Sequence, residues 1–256
     1  MATATNHLPM KLLSWNIRQG GGSRAARIVA AIAEHDPDVI ALSEFRGKPG
    51  AHLCAELASR GWQYITSTTP VGNDNGLCVL SRTPMVCGSS CYAPAESSVR
   101  WLDIDFPDRG FGLGVLHIVC AGSKLKGRIL GEAKKRFWNA VLRAAEVRLH
   151  EPLLFLVDFN TGVHRLDEAG RTFKCAEHFA GLSALGWTDT WRDHNKGRTE
   201  WTWYSRLKGG ALGNGFRLDH AFSTPSLRPR IASCWYSHKG RESGVSDHSL
   251  LIVELD

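Results

Sequence analysis

Short apolar runs recur along the chain, too closely spaced for a mostly helical protein. KLLSWNI (11–17), DVIALSEF (38–45), WQYITS (62–67), GLCVLS (76–81), RWLDIDF (100–106) and FGLGVLHIV (111–119) read as strands in the first half. LLFLVDF (153–159), EWTWYS (200–205), FRLDHAF (216–222), ASCWYS (232–237) and LLIVEL (250–255) follow. Each is rich in β-branched, aromatic or leucine side chains and most are bounded by turn residues. Between some of them the period lengthens to that of a helix. SRAARIVAAIAEH (23–35) follows a glycine-rich turn, with Ser23 placed as an N-cap and Ile28 and Ile32 on one face. AHLCAELASRG (51–61) stops at a C-cap glycine. The longest helix is predicted from Arg128 to Leu149, with Ile129, Ala133, Phe137 and Val141 four apart, and CAEHFAGLSALG (175–186) is a fourth. Many strands with a few interspersed helices predict an α/β sandwich whose sheets carry helices outside. A (β/α)₈ barrel needs regular strand–helix alternation, and the second half is too rich in strands for that.

The chain has 256 residues, with 43% hydrophobic residues and 9 Trp, which fits one globular domain over 1–256 with residues 1–10 as a tail. No stretch reaches the roughly 18 apolar residues that span a bilayer. The start lacks a basic head, apolar run and cleavage site, so a cytoplasmic protein without a membrane partner is expected. Seven Cys without a CxxC give no zinc pattern, and those in apolar runs (GLCVLS, LHIVC) read as small buried hydrophobes with reduced thiols. The net charge of +6 favours a polyanionic partner, since neutralising phosphates releases counterions.

The chemistry shows where polar residues end the strands. LLSWN stops at Asn16, VIALSE at Glu44, GLGVLH at His117, and LLFLVDFN at Asp158 and Asn160. FRLDH delivers Asp219 and His220, and the last strand begins just after Asp247 and His248. Singly, each has a plain reading: Asn and Asp favour turns, a Glu is solvated, and a His is a satisfied core residue. As an ordered set they combine carboxylate and amide oxygens for a hard cation with histidines for phosphate oxygens.

Together these motifs resemble the endonuclease/exonuclease/phosphatase superfamily, which includes exonuclease III, deoxyribonuclease I and the inositol-phosphate phosphatases. LLSWNIRQG is similar to its opening strand, PDVIALSEFR to its glutamate segment, LLFLVDFN to its Gly-Asp-Phe-Asn motif and GVSDHSLLIVEL to its terminal Ser-Asp-His. The resemblance runs from about Lys11 to the last residue. It implies a four-layer α/β sandwich, two packed mixed β-sheets flanked by helices, as in deoxyribonuclease I. The stretch EWTWYSRLKGGALGNGFRLDH resembles that of exonuclease III-type repair enzymes, which implies DNA as partner. Three positions depart from the pattern. Val157 replaces a glycine, His117 stands where exonuclease III-type enzymes carry a Tyr, and Arg18 stands where some abasic endonucleases have an Asp.

The resemblance implies a Mg²⁺-dependent DNA phosphodiester hydrolase, with Mn²⁺ able to substitute, working as a monomer without a protein partner. Glu44 would be the principal metal ligand, with Asn16 and Asp247 beside it, directly or through water. Asp158 would orient or deprotonate the attacking water, and Asn160 would hold that water or a phosphate oxygen. His248 would donate to the scissile phosphate with Asp219 on its other ring nitrogen, and His117 to a phosphate oxygen or the leaving group. Lys124, Lys126 and Arg128 suit a phosphate groove or a solvated helix start equally. Trp203 and Phe216 suit base stacking or the core, and Arg217 could reach a phosphate. A 3′-to-5′ exonuclease leads. Abasic-site incision and 3′-phosphate removal stand behind it, then an inositol-phosphate or phospholipid-headgroup phosphatase, and last a DNA-binding module without activity.

Overall fold

The structure is a computed structural model. It describes residues 9–68, 70, 72, 74–88, 91–120, 124–125, 128–129 and 131–256, with backbone alone for 124–125 and 128–129. The chain opens with β1 (Met10–Asn16), α1 (Ala25–His35), β2 (Val39–Phe45), α2 (Gly47–Ser59), β3 (Tyr64–Ser67) and β4 (Gly76–Ser81). Next come β5 (Val86–Gly88), β6 (Trp101–Phe106), β7 (Phe111–His117), β8 (Lys124–Leu125), β9 (Arg128–Ile129), α3 (Gly131–Val147) and β10 (Leu153–Asp158). The last part holds α4 (Ala176–Ala184), β11 (Thr188–Asp189), α5 (Thr190–His194), β12 (Trp203–Arg206), β13 (Leu212–Phe216), β14 (Asp219–Ser223), β15 (Ile231–Ser237), α6 (Lys239–Glu242) and β16 (Leu250–Leu255).

Two six-stranded mixed sheets form the centre, in the orders β15-β16-β1-β2-β4-β3 and β11-β14-β10-β7-β6-β5. The period of two along each central strand sorts its side chains between layers. Leu154 and Leu156 enter the core between the sheets, whereas Leu153, Phe155 and Val157 of the same strand pack under α3 and α4. In β1, Met10 and Leu12 face the other sheet while Leu13 and Trp15 pack with Ile28, Val29 and Ile32 of α1. Both faces being covered, these strands are largely apolar, and the four-layer sandwich implied by the family resemblance is present. Among the described residues no helix is long and apolar enough to cross a membrane.

Several boundaries shift. Ser23 is not an N-cap: Gly22–Arg24 forms a 3-10 turn and α1 starts at Ala25 without a side-chain cap. The glycines before it, Gly20 and Gly21, have positive φ, which tightens the entry and displaces the helix start. α3 starts at Gly131 because Arg128 and Ile129 belong to the β8–β9 hairpin. α2 reaches back to Gly47, with Pro49 in its first turn, where a proline's missing N–H leaves no intrahelical hydrogen bond unmade. Cys78 is buried as expected, but Cys120 is exposed; all seven thiols are free.

One expected substrate contact is part of the core instead. Arg217 is 1% exposed. Its guanidinium donates from Nε to Asp167 Oδ1 (2.6 Å) and from Nη1 and Nη2 to Asp189 (3.1 and 2.5 Å). It lies 5.0 Å from the Trp191 ring, and it is the cation paired with Asp189, whereas Asp167 is shared with Arg192 (2.5 Å). Arg217→Met should therefore lower unfolding stability by about 3–5 kcal/mol, because it strands Asp189 and leaves Asp167 with Arg192 alone. Urea titration checks this; unchanged stability with weakened DNA binding would return Arg217 to the surface role.

His220 sits beside this network, packed among Phe159, Phe179 and Phe222. Its Nε2 is held by the carbonyls of Thr161 (3.0 Å) and Arg217 (3.1 Å), both acceptors, so Nε2 carries the proton. Burial, aided by Arg217, pushes its pKa down to about 4. The unfolded chain therefore binds a proton below about pH 6.5 that the folded protein refuses until about pH 4. Stability from this residue is full above that window and falls by about 3 kcal/mol across it as pH drops. His220→Phe should show a correspondingly shallower loss between pH 6.5 and 4 in urea titrations, and parallel pH curves for the two proteins would contradict this.

Candidate active site

The sheets bring their polar strand ends to one rim. In the first sheet β1 and β2 run parallel with Asn16 opposite Ser43, so Glu44 follows at the same end, and β16 enters antiparallel beside β1 just after His248. In the second sheet β7 and β10 run parallel with His117 opposite Asp158, and Asp158 is also opposite Asp219 on antiparallel β14.

Polar bridges join the rims, among them a bond from Tyr236 Oη to the Asp219 carbonyl (2.7 Å). Asn16 Nδ2 donates to Asp158 Oδ2 (2.9 Å), and His248 Nδ1 donates to Asp219 (2.9 and 3.2 Å to its two oxygens). Trp15 Nε1 donates to the His248 carbonyl (2.9 Å) and Ser246 Oγ to the Asn16 carbonyl (2.6 Å), tying the last loop to β1. Asp158, Asp219 and His248 each place one ligand atom within 4.8 Å of the others, a group that could hold a metal ion.

Asp158 is deeply buried. Its Oδ1 accepts the Asn160 backbone N–H (3.1 Å), and His117 Nε2 stands 3.7 Å from Oδ2. Burial pushes its pKa up to about 7, against the opposing pull of His248. Burial alone would discharge His248, but the Asp219 and Asp158 carboxylates win and raise it to about 10. His248 is thus an imidazolium at neutral pH whose Nδ1–H is committed to Asp219, leaving Nε2–H as its remaining donor.

On the metal side, Glu44 Oε2 accepts the Gln19 N–H (2.8 Å) and Asp247 Oδ2 accepts Trp203 Nε1–H (3.2 Å). Among the described residues Glu44 Oε1 and Asp247 Oδ1 keep no hydrogen-bond partner. Each thus keeps a hard carboxylate oxygen of the chemical kind that a divalent cation takes. Asn16 is first of all a brace, since its Oδ1 accepts the Arg18 N–H (2.9 Å) while its amide holds Asp158. Arg18, Gln19, Glu44 and Asn160 all have φ between 49° and 55°, the left-handed region that costs a side-chain-bearing residue energy. That strain is concentrated at the rim.

Asn160 Nδ2 donates one N–H to the Ile118 carbonyl (2.9 Å), which leaves its second amide N–H as a donor and its side-chain oxygen as an acceptor at the rim. Trp203 and Phe216 pack against each other, centroids 5.8 Å apart, half-buried beside Asp247. Lys126 lies outside the described residues, and Lys124 and Arg128 are described only as backbone of the β8–β9 hairpin.

Two cations were missed. Lys134, 1% exposed, donates from Nζ to the Asn160 carbonyl (2.5 Å), and burial lowers its pKa to about 8. A signal existed, because Lys134 falls on the helical stripe of Phe137, Trp138 and Val141. Arg100, at the end of a 3-10 segment (Ala95–Arg100), donates from Nη1 to His117 Nδ1 (2.9 Å). Nothing in its local sequence distinguishes it from a solvated arginine at a strand start.

Comparison with known proteins places this arrangement. The sequence model described as endonuclease/exonuclease/phosphatase family matches residues 13–248. A DNA-(apurinic or apyrimidinic site) endonuclease of Dictyostelium discoideum is 22% identical, over 96% of this chain and 71% of that protein. Among solved structures, a 3′ phosphatase from Neisseria bound to a product DNA hairpin superposes with a TM-score of 0.79 at 20% identity, covering 96% of this chain and 99% of that one. A 3′–5′ exonuclease from Neisseria meningitidis gives 0.77 at 19% (96% and 100% covered). An AP endonuclease from Archaeoglobus fulgidus gives 0.78 at 18% (96% and 99%). At these identities the structures establish a shared fold.

Proposed function

The chain belongs to the endonuclease/exonuclease/phosphatase family, and from that membership and its rim geometry we propose a Mg²⁺-dependent DNA phosphodiester hydrolase, a 3′-to-5′ exodeoxyribonuclease of exonuclease III type. The observation that carries the reading is the cross-sheet group in which Asp158, Asp219 and His248 lie within 4.8 Å, close enough to act on one phosphoryl group. DNA as substrate draws support from the net charge of +6 and from relatives named for DNA endonuclease and 3′–5′ exonuclease activity.

Glu44 and Asp247 would hold the cation, with Asn16 beside them. When bound, Mg²⁺ or Mn²⁺ would supply neutralisation of phosphoryl charge. Asp158 acts on the attacking water, kept in place by Asn16 and the Asn160 N–H, while the Asn160 side chain holds that water or a phosphate oxygen. His248 donates Nε2–H to a phosphate oxygen, and Asp219 fixes its ring and its charge. His117 donates to the phosphate or the leaving oxygen from the opposite strand. Trp203 and Phe216 offer an aromatic face for an unstacked nucleotide beside Asp247. Abasic-site incision is a second activity of the same site, favoured by the Dictyostelium relative's name.

End-labelled single-stranded, duplex and abasic oligonucleotides should be laddered from the 3′ end, and EDTA should stop it. Phosphate release from soluble phosphoesters with intact DNA would instead support a phosphatase. Asp158→Asn and His248→Gln should each cut the rate by about 10³-fold with near-native circular dichroism; full activity in either refutes its role. Glu44→Gln should raise the Mg²⁺ concentration for half-maximal activity by about tenfold or more, and an unchanged titration removes Glu44 from the metal site.

A further inference from the structure

His117 meets three groups with different demands. Its Nε2 faces Asp158 Oδ2 at 3.7 Å, its register partner on β10. Its Nδ1 faces the Arg100 guanidinium at 2.9 Å. His248, bound to Asp219, adds a positive charge nearby. A guanidinium has donors only and keeps its proton at any working pH, so the nitrogen it touches must be the acceptor. The ring's proton is then on Nε2, the atom turned to Asp158 and the rim. The usual neighbour of a working histidine is a carboxylate or carbonyl, which places the proton on the near nitrogen and tolerates an imidazolium. An arginine does the reverse on both counts. Burial, Arg100 and His248 also hold the His117 pKa well below the ordinary histidine range.

The rim therefore contains two histidines with opposite partners. His248 leans on a carboxylate and is charged, whereas His117 leans on a cation and is neutral.

We propose that Arg100 is a positioning residue that fixes His117 as the neutral Nε2–H tautomer, a hydrogen-bond donor to the substrate rather than a proton relay. The role in turnover rests on the phosphodiesterase reading above; the tautomer does not. Arg100 is itself well placed for this, because it closes the Ala95–Arg100 segment and enters β6, whose Trp101 pairs with Leu116 one residue before His117. Its charge is balanced by Glu44, Asp74 and Asp158.

The test is long-range ¹H–¹⁵N correlation on histidine-labelled protein without nucleic acid, the His117 signals being assigned by their loss in His117→Gln. The wild-type ring should show a protonated Nε2 and an unprotonated Nδ1. Protons on Nδ1, or on both nitrogens, would overturn the proposal. Arg100→Lys, which keeps a donor-only cation, should retain the pattern, and Arg100→Met should lose it. On DNA, Arg100→Met should lower kcat about 10–100-fold with KM nearly unchanged. A raised KM at constant kcat would make Arg100 a phosphate-binding residue and overturn the proposal. A wild-type protein that shows the tautomer but cleaves no DNA would refute the hydrolase reading alone.

Discussion

Hydrogen bonds between the sheets, from Asn16 to Asp158, from His248 to Asp219 and from Tyr236 Oη to the Asp219 carbonyl, are the constraint around which the molecule is arranged. The core between the sheets is apolar contact, which favours burial without fixing how far one sheet slides over the other. Directional bonds at the rim set that position. They also make it acceptable to bury carboxylates there, since an unpaired buried charge is far costlier than an unmade neutral hydrogen bond.

Charge balance follows from the same constraint. Asp158 and Asp219 are buried at the rim with His248 between them, and Arg100 and Lys134 close in from the 3-10 segment and from α3. Beneath, Asp167 and Asp189 are matched by Arg217. Asp219, Asp167 and Asp189 each have a basic partner brought from elsewhere in the chain, whereas burial holds Asp158 closer to its neutral form. The left-handed conformations of Glu44 and Asn160 belong to the same picture: the strain is held by surroundings that over-determine the geometry of the rim.

The shared fold by itself does not fix a reaction. Proteins named as a 3′ phosphatase, a 3′–5′ exonuclease and an AP endonuclease all superpose on this chain at TM-scores of 0.77–0.79. One scaffold thus carries proteins named for different reactions, so the fold alone does not choose among them. The contact that we propose to bear on this choice is that of Arg100 with His117.

The sequence by itself determined the long central strands and most of the rim, while the short strands β5, β8, β9, β11 and β13 carry too few apolar residues to be read from it. Its apolar runs are long enough to assign, and Asn16, Glu44, His117, Asp158, Asp219 and His248 stand at or beside their ends. A residue at a strand end is placed by the strand, so local pattern suffices. Only the tertiary structure decided which charge meets which. Arg217 turns inward to Asp167, 50 residues away, although it reads as a surface cation. Asn16 finds Asp158 across 142 residues, and Arg100 reaches His117 through a contact that no local period encodes. The physical reason is that burial and pairing are properties of the space between elements. A side chain's charge, tautomer and role are set by neighbours that only folding assembles.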